Sequence, residues 1–382
     1  MITLPPSRLP GVGTTIFTVM SALAAEQQAI NLSQGFPDFP ADPDLLNHLT
    51  QAVLSHKNQY APMAGLARLR EGIAALTERK YGRKTNPDLE VTITSGATEA
   101  LFDAIAALVR PGDEVILLTP AYDSYGPAVL LNGGKPVYVP LSFPNYRPDW
   151  EQIRRAITPA TRAILINSPH NPTGAIFHEN DIQELKRLVE DFPIWIISDE
   201  VYEHIVFDGQ DHLSVSRYPE LSERAFVVSS FGKTFHVTGW KTGYCVAPAS
   251  MTEEFRKIHQ FNTFCSPAPL QEALADILET PQKVDELSGF YQQKRDTFLS
   301  LMQGSKFRPL PSQGTYFQLM DYSEISREKD TEFCKWLTIE MKVAAIPVSV
   351  FYPDETDHKV IRFCFAKQEE TLKAAAERLC KI

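Results

Sequence analysis

The chain has 382 residues, 43% hydrophobic and 22% charged, with a formal net charge of −10. That size and composition suit a globular protein with a core large enough for two domains, and the acidic balance argues against a nucleic-acid partner, which would want a basic face. The five cysteines (Cys245, Cys265, Cys334, Cys364 and Cys380) are odd in number and form no C-x-x-C pair, so neither a disulfide framework nor a metal site is expected.

At the N-terminus, Met1 to Pro6 lacks a basic region followed by an apolar run, so no signal peptide is expected. No apolar stretch reaches membrane-spanning length, and a cytoplasmic address follows. Residues 14–28 carry Ile16, Met20 and Leu23 on one face and predict an amphipathic helix. Residues 31–40, with Gly35, Pro37 and Pro40, predict an extended segment. Asp42 and Pro43 open a helix carrying Leu45, Leu49 and Val53. After a loop at 60–65, Leu66, Leu69, Ile73 and Leu76 mark a helix that stops near Gly82. Short apolar strands then alternate with helices: strands at 91–94, 115–118, 136–139, 163–167, 194–198 and 225–229, helices at 99–109, 125–131, 150–157 and 180–190. This alternation predicts a mostly parallel sheet covered on both faces. After a further strand at 244–247 come helices at 253–264 and 270–278 and a longer one at 284–302. The remainder, with strands at 315–320, 343–346 and 360–365 and helices at 330–341 and 368–379, predicts a smaller α+β unit. The expected division is an arm at 1–40, a large domain at 41–285 and a small domain at 286–382.

In open parallel sheets ligands bind beyond the carboxyl ends of the strands, so the residues after each strand matter most. Ser95-Gly96-Ala97-Thr98 opens a helix whose free N–H groups and dipole suit a phosphate; the same residues are also ordinary helix caps. Tyr122 follows the next strand and offers a ring for stacking on a flat heterocycle, or simply a packed turn. Asn167 to Gly174 is a loop shaped by two prolines, with Asn171 placed to aim an amide inward; asparagines that bond their own backbone are the plainer alternative. His170 is given no role. Asp199 follows the run Ile194 to Ile197, where an unpartnered carboxylate is expensive; a protonated pyridine nitrogen would supply its partner, and Tyr202 lies three residues on. A surface Asp-Glu turn is the competing reading. Ser229 to Tyr244 holds Lys233 in a turn of small residues, with Ser230 and Lys241 as anion holders. An amine there can condense with a carbonyl cofactor, or be a solvated lysine in a glycine-punctuated loop. Arg362, alone among apolar residues 361–365, needs an anion, either a substrate carboxylate or an internal acid.

Taken together, NLSQGFPDFP (31–40), QYAPMAGLARLR (59–70), SGATEAL (95–101), SPHNPTG (168–174), SDEVYE (198–203), SSFGKTFHVTGWKTGY (229–244) and IRFCF (361–365) resemble the class I/II pyridoxal-phosphate aminotransferases of fold type I, over nearly the whole chain. Within that family the resemblance is strongest to the methionine and kynurenine/glutamine-type enzymes. It implies that Lys233 carries pyridoxal 5'-phosphate, that Asp199 pairs with the pyridine nitrogen, and that Asn171 and Tyr202 bond the phenolic oxygen. It further implies that Tyr122 stacks on the ring and that Ala97, Thr98, Ser230 and Lys241 hold the phosphate. Tyr60 is expected to reach the phosphate of a neighbouring subunit, so a homodimer is expected. Arg362, Asn171 and the backbone of Gly35 are expected to bind the substrate carboxylate. Many relatives carry arginine where this chain has Lys241; the kynurenine/glutamine-type subset carries lysine. The activity implied is ping-pong transfer of an amino group to a 2-oxo acid. Phe17, Phe36 and Tyr125 are expected to line an apolar side-chain pocket, favouring methionine, aromatic amino acids and glutamine over aspartate. A β-lyase acting on cystathionine or cysteine conjugates is the alternative, and a cofactor-binding regulatory protein a more distant one.

Overall fold

The apolar runs predicted as strands assemble into one seven-stranded sheet. Its members are β1 (Val91–Thr94), β2 (Glu114–Thr119), β3 (Lys135–Pro140), β4 (Thr161–Asn167), β5 (Trp195–Asp199), β6 (Ala225–Ser230) and β7 (Gly243–Val246). The spatial order is β1-β7-β6-β5-β4-β2-β3, with β7 antiparallel to both neighbours and every other pairing between consecutive strands parallel. The computed structural model describes residues 4–382; Met1 to Thr3 of the expected arm, part of the segment read for a signal peptide, lie outside the described residues. β1, β2 and β7 are buried at every position; in β2 this shows as the apolar run Val115 to Leu118, whereas β1 buries its two threonines along with Val91 and Ile93.

Helices cover both faces. On one, α4 (Ala97–Leu108), α5 (Tyr125–Leu131) and α8 (Ala249–Asn262) pack against Val115, Leu117, Leu165, Ile197 and Val228. On the other, α6 (Trp150–Ala156) and α7 (Glu179–Asp191) meet Ile116, Ile164, Ile166 and Ile196. Successive strand residues point to opposite faces, so the two sets interleave along the same strands. Earlier in the chain, α1 (Ile16–Glu26), α2 (Pro43–Leu54) and α3 (Ala67–Tyr81) lie close to their predicted spans. Asp42 caps α2 as expected, its side chain accepting from Asp44 N at 2.8 Å.

The C-terminal part builds a second, antiparallel sheet of β8 (Arg308–Pro309), β9 (Phe317–Asp321), β10 (Ile346–Pro347) and β11 (Val360–Cys364) in the order β10-β11-β9-β8. The strand predicted at 343–346 is divided. Val343–Ala344 pairs in parallel with Ile30–Asn31, and only Ile346–Pro347 joins β11. The helix predicted at 284–302 is also divided, into a turn at Gln282–Asp285 and α9 (Leu287–Leu301), joined through Glu286 at ψ −15°. The segment after Asn31, predicted as extended, instead bends at 33–36 and 38–39, where Asn31 Oδ1 accepts from Ser33 N at 3.0 Å and Gln34 N at 3.3 Å, and it is tied to the C-terminal part. Arg362 Nη2 donates to Ser33 O at 3.1 Å, Lys367 Nζ to Phe36 O at 2.7 Å and Thr371 Oγ1 to Asp38 Oδ2 at 2.8 Å.

Candidate active site

The parallel strands all end at one edge of the sheet, and β7, running the other way, begins there. After β1, Gly96 takes φ +81° and opens α4 without a side-chain cap, which leaves the N–H groups of Ala97 and Thr98 free of intrahelical acceptors. The start of β7 passes directly behind: a Cβ on Gly243 would lie 2.7 Å from Ser229 O and 2.9 Å from Ala97 N, so only glycine fits. Lys241, at φ 50°, lays its side chain along the same turn, its Cε 3.4 Å from where a Cβ of Gly96 would be.

After β4, Asn167 Oδ1 accepts from Asn171 N at 2.8 Å, and its Nδ2 donates to Asp199 O at 2.9 Å, locking the loop against β5. Asn171 Oδ1 accepts from Arg362 Nη1 at 2.7 Å, which leaves its amide nitrogen for the cavity. Asp199, at the end of β5, is buried. Its Oδ2 accepts from Tyr125 Oη at 2.5 Å and its Oδ1 from Val201 N at 3.2 Å. Burial pushes its carboxyl up to about 6, against the pull of these two bonds. After β6, Lys233 sits in a one-turn helix, half-buried, its Nζ 5.7 Å from the ring centres of both Tyr202 and Tyr316. Burial lowers its amine to about 8, with Lys241 and Arg362 acting in the same direction and Cys364 and Asp199 opposing.

Nine of the ten residues expected to bind the cofactor line one cavity: Ala97, Thr98, Tyr122, Asn171, Asp199, Tyr202, Ser230, Lys233 and Lys241. Arg362 joins them through Asn171. It is buried, its guanidinium 3.9 Å over the Phe317 ring, and its Nε has no partner among the described residues. The carbonyl of Gly35 accepts from Tyr316 Oη at 2.5 Å, which brings the 31–40 segment to the cavity wall. Tyr60 stands apart: it is 85% exposed and touches Phe264 edge-on at 5.5 Å.

Two expectations about the side-chain pocket are corrected. Tyr125 reaches the cavity, but its hydroxyl is committed to Asp199, so it supports the carboxylate rather than forming an apolar wall. Phe36 is 43% exposed and lies beneath the Lys367 ammonium, 4.9 Å from its ring centre. Phe17 does flank the cavity, 6.3 Å from the Tyr122 ring and 5.3 Å from the Arg362 guanidinium. His170 bonds Thr173 Oγ1 at 2.7 Å, and burial lowers it to about 4, the state of a structural histidine. Tyr316 and Asn167 are functional neighbours given no role from the sequence; Asn167 at least ends an apolar strand, whereas nothing local marks Tyr316.

The donor set fits pyridoxal phosphate. One end offers two orphan amides at a helix start, two hydroxyls and an ammonium, a setting for a dianion. The middle offers an amine of lowered basicity. The far end offers a buried acid whose recorded partners, a tyrosine hydroxyl and an amide, are both uncharged.

The family model for aminotransferase class I and II matches residues 27–379. A methionine aminotransferase of Escherichia coli is 52% identical over 98% of both chains. A solved Escherichia coli structure, described as identifying a methionine aminotransferase function, covers 100% of both chains with a TM-score of 0.98 and 52% identity. Human kynurenine–oxoglutarate transaminase 3 is 34% identical over 97% of this chain and 88% of its own.

Proposed function

Because the chain belongs to the class I and II aminotransferases, enzymes of fold type I that depend on pyridoxal phosphate, we propose the following roles for its residues. Lys233 carries the cofactor and Asp199 faces its ring nitrogen. Tyr202 and the Asn171 amide address its phenolic oxygen, and Tyr122 covers its face. Ala97, Thr98, Ser230 and Lys241 hold the phosphate. Arg362, with Asn171 and the backbone at Gly35, takes the substrate carboxylate. The observation that carries this reading is that Lys233 and Asp199, from adjacent parallel strands, open into one cavity whose far wall is a helix start.

When bound, pyridoxal phosphate supplies a carbonyl for the amino group and a ring that accepts electron density from the substrate Cα. The chain's own work is positional and protonic. Lys233 Nζ is the atom placed to take and return the proton at Cα. Asp199 holds positive charge at the ring nitrogen. Arg362, fixed by Asn171 and Ser33, orients the carboxylate and so the Cα–H bond. The junction near residue 285 is retained as the division between the large and small domains, with the arm moving with the latter; its bonds to Arg362, Lys367 and Thr371 support this.

For the substrate we propose methionine first, with aromatic and glutamine-like amino acids also accepted. The rings of Phe17 and Phe351, 5.8 Å apart, flank Arg362, and among the described residues the basic side chains lining the cavity are Lys233 and Lys241. An acidic side chain would find no second arginine there. The relative named for methionine supports the same choice; β-elimination is not proposed. Adding methionine to the purified enzyme is expected to shift the cofactor absorbance, and a 2-oxo acid to reverse it. The kcat/KM for methionine should exceed that for aspartate by at least about tenfold, the scale of one unpaired buried charge. A preference for aspartate would overturn the substrate assignment.

We also propose a homodimer, located in the cytoplasm, in which Tyr60 of each copy completes the other's phosphate site. Tyr60, 85% exposed, and the half-exposed Phe264 pack edge-on and form an apolar pair that a second copy would cover, with the 86% exposed Phe261 three residues before Phe264 in the chain. Among the described residues no helix is long and apolar enough to cross a membrane. Sedimentation velocity is expected to give a dimer that Tyr60→Phe preserves while weakening cofactor retention; a monomeric wild-type enzyme removes this part of the reading.

A further inference from the structure

In the first turn of α4, Glu99 points away from the cavity toward α8. One of its carboxylate oxygens accepts the backbone N–H of Ser95, the first amide of the 95–98 turn. The other meets His259 Nδ1 at 2.5 Å. His259 Nε2 lies 2.9 Å from the carbonyl of Met63. A carbonyl oxygen only accepts, so Nε2 carries a proton, and the contact with Glu99 holds a second proton at or near Nδ1. Burial pulls this imidazole's pKa down, but the bond and charge of Glu99 outweigh it and leave it above the usual histidine value. Asp103, one turn further along α4, accepts from Asn262 Nδ2 at 2.9 Å and stands 3.8 Å from His259 Nδ1.

The three side chains place ligand-type atoms within 4.8 Å of one another. A bound transition metal would hold such atoms about 3 Å apart, whereas Nδ1 and Glu99 are in direct hydrogen-bond contact, with no room for an ion between them. The group is an ion pair that braces two backbone segments, the 95–98 turn through Ser95 and the loop carrying Tyr60 through Met63.

This pairing matters because of where Glu99 sits. A carboxylate in the first turn of a helix satisfies the same positive end that would attract a phosphate dianion. Left bare, Glu99 would hold the turn through Ser95 but repel the ligand. The imidazolium of His259 cancels that charge while the bond to Ser95 persists. We propose that His259 is a positioning residue for the cofactor phosphate, neutralising Glu99 so that the first turn of α4 is both fixed and attractive to an anion. This rests on the assignment of Ala97 and Thr98 to the phosphate.

The test compares two probes on the full-length protein freed of cofactor: pyridoxal phosphate, and pyridoxal, which lacks the phosphate. Affinities are read from quenching of protein fluorescence. His259→Gln is expected to lower the preference for the phosphorylated probe about tenfold, the scale of one charge-assisted interaction, with pyridoxal affinity unchanged. Glu99→Gln, which keeps an acceptor for Ser95 and removes the charge, should leave the preference at or above wild type, and adding it to His259→Gln should restore most of the loss. Asp103→Asn touches no bond to the turn and should leave the preference as it is. A His259→Gln variant with unchanged preference, or with both affinities lowered together, would overturn the proposal, as would a lowered preference in Glu99→Gln, which stands as the deciding variant if His259→Gln does not fold. A wild-type protein with no preference for the phosphorylated probe would instead overturn the phosphate assignment itself.

Discussion

Lys233→Ala is expected to slow transamination of methionine by about 10⁴-fold or more while the protein still takes up pyridoxal phosphate. A placed base contributes about 10²–10⁴-fold by itself, and losing the amine also removes the covalent hold that orders the reactants. Uptake survives because the helix start at Ala97 and Thr98, the hydroxyl of Ser230, Lys241 and Asp199 are untouched. Single-turnover absorbance gives the rate, and gel filtration followed by a spectrum gives the cofactor content. A variant within tenfold of wild type would remove Lys233 from the mechanism. The same amine has a pH signature. Burial holds it at about 8, below the usual lysine value of 10.5, so the free base prevails above about pH 8 rather than only at strongly alkaline pH. At pH 7 about a tenth of it is free, against well under a thousandth for an ordinary lysine. Capture of the aldehyde by cofactor-free protein should therefore rise about tenfold per pH unit up to about 8 and flatten above it.

What could be read from the sequence, and what could not, divides by distance along the chain. Asp199, Lys233 and Asn171 each follow an apolar run, and an apolar run that stops at a charged or amide side chain says by itself where a sheet ends and a ligand begins. The bonds between these residues were not legible. Tyr125 reaches Asp199 across 74 positions and Arg362 reaches Asn171 across 191, and no local pattern records either. Tyr125 looked like a pocket wall because the family resemblance places it near the substrate, and nothing around it in the chain shows that its hydroxyl meets a carboxylate. The division of the strand predicted at 343–346 has the same origin. Val343, Ala344 and Ile346 are equally apolar and equally buried, so composition could not tell which of them would pair with Ile30–Asn31 and which with β11. Glu99 and His259, 160 positions apart, appeared respectively as part of a helix start and as a face of a helix.

Asp199→Asn is expected to lower turnover by about 10³-fold, the scale of the 2–5 kcal/mol lost when one member of a buried charge pair is neutralised, and to do so while making the cofactor-free protein more stable at neutral pH. The two effects have one cause. With no cation bonded to it, the buried Asp199 is pushed by desolvation to about 6, above the usual aspartate value of 3.8. A raised acid contributes stability that is complete below about pH 4 and is lost as pH rises through about 6. At pH 7 the cofactor-free enzyme therefore holds an ionised carboxylate that its bonds to Tyr125 and the Val201 amide and the more distant Lys233 do not fully offset, at a cost of the order of 3 kcal/mol. Asparagine keeps the shape, and the Tyr125 hydroxyl can turn to serve it. Denaturant unfolding of the cofactor-free proteins should show the variant ahead of wild type at pH 7 to 8, with the gap closing toward pH 4. With pyridoxal phosphate bound the order should reverse, because only the carboxylate meets a cationic ring nitrogen. An aspartate kept for packing alone would lose stability in both states when replaced, so a variant less stable than wild type without cofactor would exclude the proposed role. A site whose acid is costly when empty and favourable when filled discriminates for its cofactor by charge, and Asp199 is the residue where that discrimination is stored.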